Sequence, residues 1–325
     1  MINVKEIFYL PSGRIFLMQT EDGSIIESTE MRDVSVGGKK HIEVRNSLDP
    51  TVIWKHLVNY KEKWLLTVST QKGCSFKCKF CDVADISFKG NLSHYDIEEQ
   101  IILLLEHSPF IKESKKVKIG FARMGEPACN IDNVILAMTS LYKISRTLRR
   151  EFRWLPCFNT ILPKNDAKSI LNQVIDLKEN IFDGFLHLQV SCNSTCEETR
   201  KYLFGGADVL SVEEIIDYVN HFDITDRTIT LNFIVMDGIE VDVNKLKKMG
   251  LNSNKFMVKL IPLNKTINAE KNELNTYANY TNYDKLSELG QKFNEIGVPT
   301  VIDSIARCEE AGLCCGQLAQ IFLND

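Results

Sequence analysis

The sequence predicts an α/β fold: a partial (β/α)6 barrel of parallel strands, open on one side, with a small β-rich segment at its N-terminus. Three observations carry that prediction. From Leu65 onward, short apolar and β-branched runs alternate with amphipathic helical stretches, which is the pattern of parallel α/β architecture. Six such strand–helix units are followed by one further strand, too few to close a full barrel of eight. Ahead of Leu65, strand signals follow one another across turn residues with no long helix between them.

Composition sets the frame. The 325 residues suffice for a main domain over 64–325 plus an accessory segment over 1–63. Hydrophobic residues at 44% and charged residues at 25% describe an ordinary folded chain, so long disorder is not expected. The net charge of −4 provides no global basic field, which weakens a nucleic-acid partner unless a local basic stripe supplies the charge. Charges arrive too early in MINVKEIFYLPSGR for a signal peptide, and no apolar window is long enough to span a membrane. The expected setting is cytoplasmic, with no membrane partner.

The elements follow in order. IFYL and RIFLMQT flank Pro11-Ser12-Gly13, and Asp22-Gly23 turns the chain into SIIEST, giving a hairpin or small sheet over 5–31. Residues 32–63 are mixed and polar, with two glycines at 37–38 and a short helix from Asp49-Pro50 to about Asn59. The barrel strands are expected at 65–70, 117–122, 155–160, 185–191, 229–236 and 256–262, with a closing strand at 299–303. Helices are expected between them at 97–107, 133–145, 167–177, 212–222, 243–249 and 283–297. In such barrels chemistry sits at the C-terminal ends of the strands.

The ten cysteines are clustered rather than spread like a disulfide framework, with three between 74 and 81 and three between 308 and 315. Cys74-Ser75-Phe76-Lys77-Cys78-Lys79-Phe80-Cys81 follows the first barrel strand directly, in the loop where this architecture places its active site. Three thiolates can hold three irons of a [4Fe–4S] cluster and leave the fourth iron open to a ligand. A structural zinc site would need a fourth Cys or His, and the nearest downstream histidine, His94, is not paired with another candidate ligand. Past the second strand, Met124-Gly125-Glu126-Pro127 offers a close backbone approach and a carboxylate able to pair with an amine.

The cysteine spacing and the GEP triplet resemble the radical S-adenosylmethionine (SAM) superfamily, which implies a TIM-like radical SAM barrel, a [4Fe–4S] cluster on Cys74, Cys78 and Cys81, and SAM on the open iron. Phe80 would then pack near the adenine, while Met124, Gly125 and Glu126 would face the methionine ammonium. The resemblance narrows further. VSTQKGCSFKCKFC (68–81), GFARMGEPACN (120–130), KLIPLN (259–264) and CCGQLA (314–319) are similar, in the same order, to signatures of the RlmN/Cfr family of RNA adenine methyltransferases. That resemblance implies methyl transfer to C2 or C8 of an adenine in RNA (rRNA or tRNA), with Cys315 as the methyl carrier. It also implies SAM contacts from Ser191, Asn193 and Asn264, proton transfer by Glu27, and an electron donor such as flavodoxin or ferredoxin.

The departures are equally legible. Thr67 stands where the family has a resolving cysteine, and threonine cannot undergo disulfide exchange. Cys192, Cys196, Cys308 and Cys314 are the candidate substitutes. Ser191-Cys192-Asn193 replaces the family's Ser-Leu-His, SIAR (304–307) thins an arginine-rich approach, and a helical N-terminal RNA-binding appendage is not expected in 1–63. These changes leave open a radical SAM enzyme of another reaction class, acting on a small molecule or peptide, or a redox module that keeps the cluster without catalysis. Arg146, Arg149, Arg150 and Arg153 would share one face if the helix ending near 145 ran on, and could then hold phosphates. KESKKVK (112–118) reads as a polar loop and Gly205-Gly206 as a turn.

Overall fold

A computed structural model describes residues 1–35, 49–276, 284–303 and 314–324. The N-terminal strands form first as an antiparallel meander: β1 (Asn3–Leu10), β2 (Gly13–Gln19) and β3 (Ile25–Met31). Consecutive residues Ile15, Phe16, Leu17 and Met18 of β2 are all buried, so this strand is covered on both faces. The meander is not a separate sheet. Its β3 pairs antiparallel with β4 (Trp64–Val68) through Thr29–Thr67, Glu30–Leu66 and Met31–Leu65.

From β4 the sheet turns parallel, through β7 (Glu113–Phe121), β8 (Glu151–Thr160), β9 (His187–Ser191), β10 (Ile229–Val235), β11 (Phe256–Pro262) and β12 (Thr300–Ile302). The result is one ten-stranded sheet whose last seven strands are parallel and lie in chain order. A two-stranded ribbon, β5 (Gln71–Lys72) with β6 (Gly90–Asn91), brackets the cysteine loop.

Helices cover the outer face. After α1 (Pro50–Lys55) come α2 (His94–Glu106), α3 (Ile131–Thr147) and α4 (Ala167–Asp176). They are followed by α5 (Glu197–Leu203), α6 (Val212–Asn220), α7 (Val243–Lys248), α8 (Ile267–Lys271), α9 (Asp284–Glu295) and α10 (Gln317–Asn324). Their apolar stripes recur at three- and four-residue spacing; on α3 these are Val134, Ala137, Met138, Leu141 and Ile144. Ser93 opens α2 and Ser211 opens α6 with reciprocal capping boxes to Asp96 and Glu214, each of the kind worth about 1 kcal/mol. Among the described residues, no helix is long and apolar enough to cross a membrane.

Several expectations shift. The helix after Pro50 stops at Lys55, well short of Asn59. The segment 112–118 is mostly strand, because β7 begins at Glu113 and pairs with Glu151 of β8. The four arginines share no face. α3 ends at Thr147, Arg149 adopts a left-handed φ of 53°, and Arg150 turns inward to the carbonyl of Pro109 at 3.0 Å. Arg153, on β8, stacks on Phe185 at 4.1 Å. Short α5 and α8 carry too little periodicity to have been read. Gly205 and Gly206 do form a turn, with φ of 69° and 85°. The glycines at 37–38, SIAR and Cys308 lie outside the described residues.

Candidate active site

At the C-terminal ends of the parallel strands lies a pocket of about 300 Å³, near the lower end for small-molecule sites. Cys74, Cys78 and Cys81 all line it, together with Phe80, Gly125, Glu126, Ser191, Asn264 and Cys315. Residues from seven separate stretches of sequence are thus brought to one mouth.

The cysteine loop is held from both sides. Its carbonyls at Lys79, Phe80 and Cys81 accept hydrogen bonds from Asn272 Nδ2 (3.1 Å), Thr266 Oγ1 (2.9 Å) and Asn268 Nδ2 (2.8 Å). The amide of Lys79 donates to the Leu203 carbonyl at the end of α5, at 2.9 Å. The segment 266–272, including α8, therefore acts as a clamp of amide and hydroxyl groups that no cysteine-centred reading would single out. Phe80 packs edge-on against Phe204, with ring centroids 6.1 Å apart.

Burial in this apolar pocket pushes the Cys74 thiol up to about 11, and raises Cys78 and Cys81 as well. Thiols in such surroundings stay neutral unless a cation joins them. Among the described residues, no three His, Cys, Asp or Glu side chains converge as ligands of a single ion. A cluster asks for another arrangement, since each thiolate bonds a different iron and the sulfurs stand apart. The three thiols on one wall suit that demand.

Gly125 has φ of 99°, and a Cβ there would lie 2.8 Å from the Gln71 amide nitrogen, so glycine alone allows this crossing of the two loops. Next to it, Glu126 donates its amide to Gln71 Oε1 at 3.0 Å, and its carboxylate accepts from Ala128 N and Ile161 N, both at 3.0 Å. Burial raises the Glu126 carboxyl to about 7, against the opposing hydroxyl of Thr160 and those two amides. Met124 takes a different part. Its side chain is buried and its carbonyl accepts from Thr70 N at 2.8 Å, so it stabilises the crossing rather than facing the pocket.

Asn193 also lies away from the pocket wall. With φ of 61°, it turns its Oδ1 toward the Ile234 amide (3.1 Å) and ties the end of β9 to β10. Ser191 lines the pocket, its carbonyl held by the buried Arg200, which also donates to the carbonyls of Cys192 (2.8 Å), Ile161 (2.9 Å) and Leu210 (3.0 Å). Asn232, which the sequence reading passed over, lines the pocket with a buried Oδ1 that meets no donor of the protein. Its signal was a lone amide in the apolar run ITLNFIVM. An orphaned acceptor, a buried carboxylate and three thiols together fit a ligand with hydroxyl and ammonium donors beside a metal cluster.

Cys315 is exposed and faces the same pocket, whereas Glu27 is buried behind it on β3. The Glu27 carboxylate accepts from Gly316 N at 3.0 Å and Ala319 N at 2.9 Å, and pairs with Arg123 Nη2 at 2.6 Å. Gly316 has φ of 78°, and a Cβ there would sit 2.3 Å from Val83, so the segment lies directly on the cysteine loop. Arg123 reaches Cys315 Sγ at 3.4 Å. Of the candidate substitute thiols, Cys314 lines the pocket, with Asn264 Nδ2 3.8 Å from its sulfur. Cys192 is buried in the core, and Cys196 bonds to Glu198 at the start of α5. Thr67 Oγ1 shares a hydrogen bond with Thr29 at 2.5 Å.

No protein-family model matches the chain. It is 28% identical over 261 residues to a probable dual-specificity RNA methyltransferase RlmN of Pseudothermotoga lettingae, covering 77% of this chain and 67% of that one. It is 27% identical over 260 residues to the RlmN of Helicobacter hepaticus, covering 78% and 63%. The chain thus spans about two thirds of the length of these relatives. A radical SAM methyltransferase structure from Sphaerobacter thermophilus superposes with a TM-score of 0.69 at 18% identity, covering 97% of this chain and 80% of that one. The chain is thus of the open parallel α/β sheet class, the fold of that structure, with a three-cysteine loop at its mouth. Within that class, the sequence similarities support the RlmN-type radical SAM family for this chain.

Proposed function

We propose that the chain is a radical SAM methyltransferase that methylates an adenine carbon of RNA through a methyl-cysteine at Cys315. The observation that carries this reading is the meeting of Cys315 with the three-cysteine loop in one pocket, from opposite ends of the sequence. Cys74, Cys78 and Cys81 would hold the cluster, which when bound supplies an electron for reductive cleavage of SAM. Glu126 offers the methionine ammonium a carboxylate whose ionised form a neighbouring cation stabilises, and Asn232 Oδ1 offers an acceptor for a hydroxyl. Asn264 and Ser191 add polar contacts on the same wall. Cys315, as thiolate, is the nucleophile toward the sulfonium methyl group.

RNA as substrate is supported by the names of the sequence relatives, an electron donor of the flavodoxin or ferredoxin kind is required, and a cytoplasmic setting keeps the thiols reduced. Mass spectrometry of the peptide bearing Cys315, after anaerobic incubation of the cluster-loaded protein with SAM, tests the reading. A mass increase of one methyl group at Cys315 is expected; an unmodified Cys315 sinks it. One observation favours a second reading. Thr67, hydrogen-bonded to Thr29, offers no thiol to release a covalent RNA adduct, which suits a radical SAM reaction on a small molecule or peptide. Binding to RNA that falls steeply with salt would count against that alternative.

A further inference from the structure

Behind the exposed Cys315 sulfur lies a buried ion pair. Arg123 and Glu27 are both largely shielded from solvent, and their charges meet at 2.6 Å. Glu27 is held at both oxygens: one takes the Arg123 guanidinium and the Gly316 amide, and the other takes the Ala319 amide. Arg123 in turn directs one terminal nitrogen to Glu27 and the other to Cys315 Sγ, at 3.4 Å. A further contact runs from Arg123 Nη2 to the Cys314 carbonyl, also at 3.4 Å. The planar guanidinium spans carboxylate and sulfur at once, which an ammonium cannot do with the same geometry.

We propose that Arg123, braced by Glu27, is a thiol-positioning residue: it fixes the Cys315 sulfur at the pocket mouth and places a positive charge beside it. Glu27 then acts through Arg123 and through the backbone of the CGQLA segment. The proposal rests on the reading of Cys315 as methyl acceptor. The step it serves forms a bond from Cys315 Sγ to a methyl carbon as the bond from that carbon to the sulfonium breaks. The sulfonium leaves as a neutral thioether with the electron pair, and the thiol proton passes to water. A thiolate is the competent nucleophile, and a fixed cation within hydrogen-bonding distance favours it.

The test uses the full chain with its cluster loaded, so that the loop cysteines are ligated. Iodoacetamide at neutral pH alkylates accessible thiols, and peptide mass spectrometry follows Cys315 with the exposed Cys129 as internal comparison. Arg123→Met is expected to slow Cys315 alkylation at least tenfold relative to Cys129, with iron content holding at the wild-type value and the unfolding midpoint lowered because Glu27 stays buried without its partner. An unchanged Cys315 rate in that variant overturns the proposal. Should Arg123→Met fail to fold, Arg123→Lys decides: it keeps the charge but loses the two-point span, so a drop of at least threefold is expected and wild-type reactivity overturns the idea. Incubation with SAM on the same peptide separates the two hypotheses. An Arg123-dependent thiol that is never methylated upholds the positioning role while removing the methyl-carrier reading.

Discussion

At the C-terminal ends of the strands the barrel presents three thiols, a buried carboxylate and an unpaired amide oxygen; at the N-terminal ends the same strands present a cavity of about 560 Å³ lined by Lys63, Lys118, His187, Arg227 and Lys259. Both spaces are walled by alternate residues of one sheet, and Asn159 of β8 lines both. Barrel interiors are ordinarily filled by layers of Val, Ile and Leu. Here the lower interior is polar, its lysines Lys63 and Lys259 paired with Asp33 and Asp303. The apolar core has moved outward, to the interface between sheet and helices, where Trp64, Phe121, Trp154 and Phe256 are fully buried. The stability of the upper pocket therefore depends on its loops and their clamps rather than on a packed barrel centre.

The largest effect expected from breaking this contrast is loss of the metal. After anaerobic reconstitution, wild-type protein should bind about four irons per chain and Cys74→Ala close to none. Iron and sulfide assays check it, and Lys118→Met in the lower cavity should leave the count unchanged. Next comes Arg200, which fastens the pocket wall through four carbonyls. Replacing it with methionine strands those acceptors in a buried site, at about 1–3 kcal/mol for each carbonyl left without a donor. Denaturant unfolding should show a loss of about 3 kcal/mol or more. A smaller effect is expected at Glu126→Gln, which removes a charge while keeping the shape. Calorimetry should then find SAM binding weakened about tenfold, the equivalent of about 1.4 kcal/mol for a charge-assisted contact. Unchanged affinity would remove Glu126 from the ammonium site.

Legibility in the sequence also differed between the two regions. The mouth announced itself because cluster and backbone-approach chemistry demand particular residues at fixed spacing: Cys74, Cys78, Cys81 and Gly125 cannot be exchanged for look-alikes. The strands were readable because each is a contiguous apolar run. The groups that complete the site were not, since their meaning is relational. Asn268 and Asn272 are ordinary polar residues until α8 brings them to the carbonyls of Cys81 and Lys79. Asn193 and Met124 sit in the right blocks yet turn away from the pocket, because backbone geometry at φ 61° and a buried crossing decide their direction. Arg123 was visible inside FARMGEP, but its partner Glu27 lies on a strand nearly a hundred residues earlier. The polar floor was hidden for a related reason: Lys118, His187 and Lys259 are scattered singly among strands, and only the register aligns them.

The floor supplies the smallest and most specific prediction. His187 is buried on β9, its Nε2 2.8 Å from Thr230 Oγ1 and its Nδ1 3.8 Å from Cys157 Sγ. Burial first, and then the surrounding Lys118, Arg227, Lys259 and Lys116, hold its pKa well below the ordinary 6.5. The folded protein thus keeps His187 neutral, whereas the unfolded chain takes up a proton below about pH 6.5. Stability contributed by this group is present above that pH and is lost as pH falls, because the unfolded state binds the extra proton. Between pH 6.5 and 5 the loss approaches about 1.4 kcal/mol per pH unit for a single such site. In His187→Gln the amide can still reach Thr230 but cannot titrate, so its stability profile over that range should be flatter than wild type by up to that slope. Parallel profiles for the two proteins in denaturant unfolding would mean that the cationic floor leaves His187 free to protonate, and the contrast between the two ends of the barrel would then be one of shape alone.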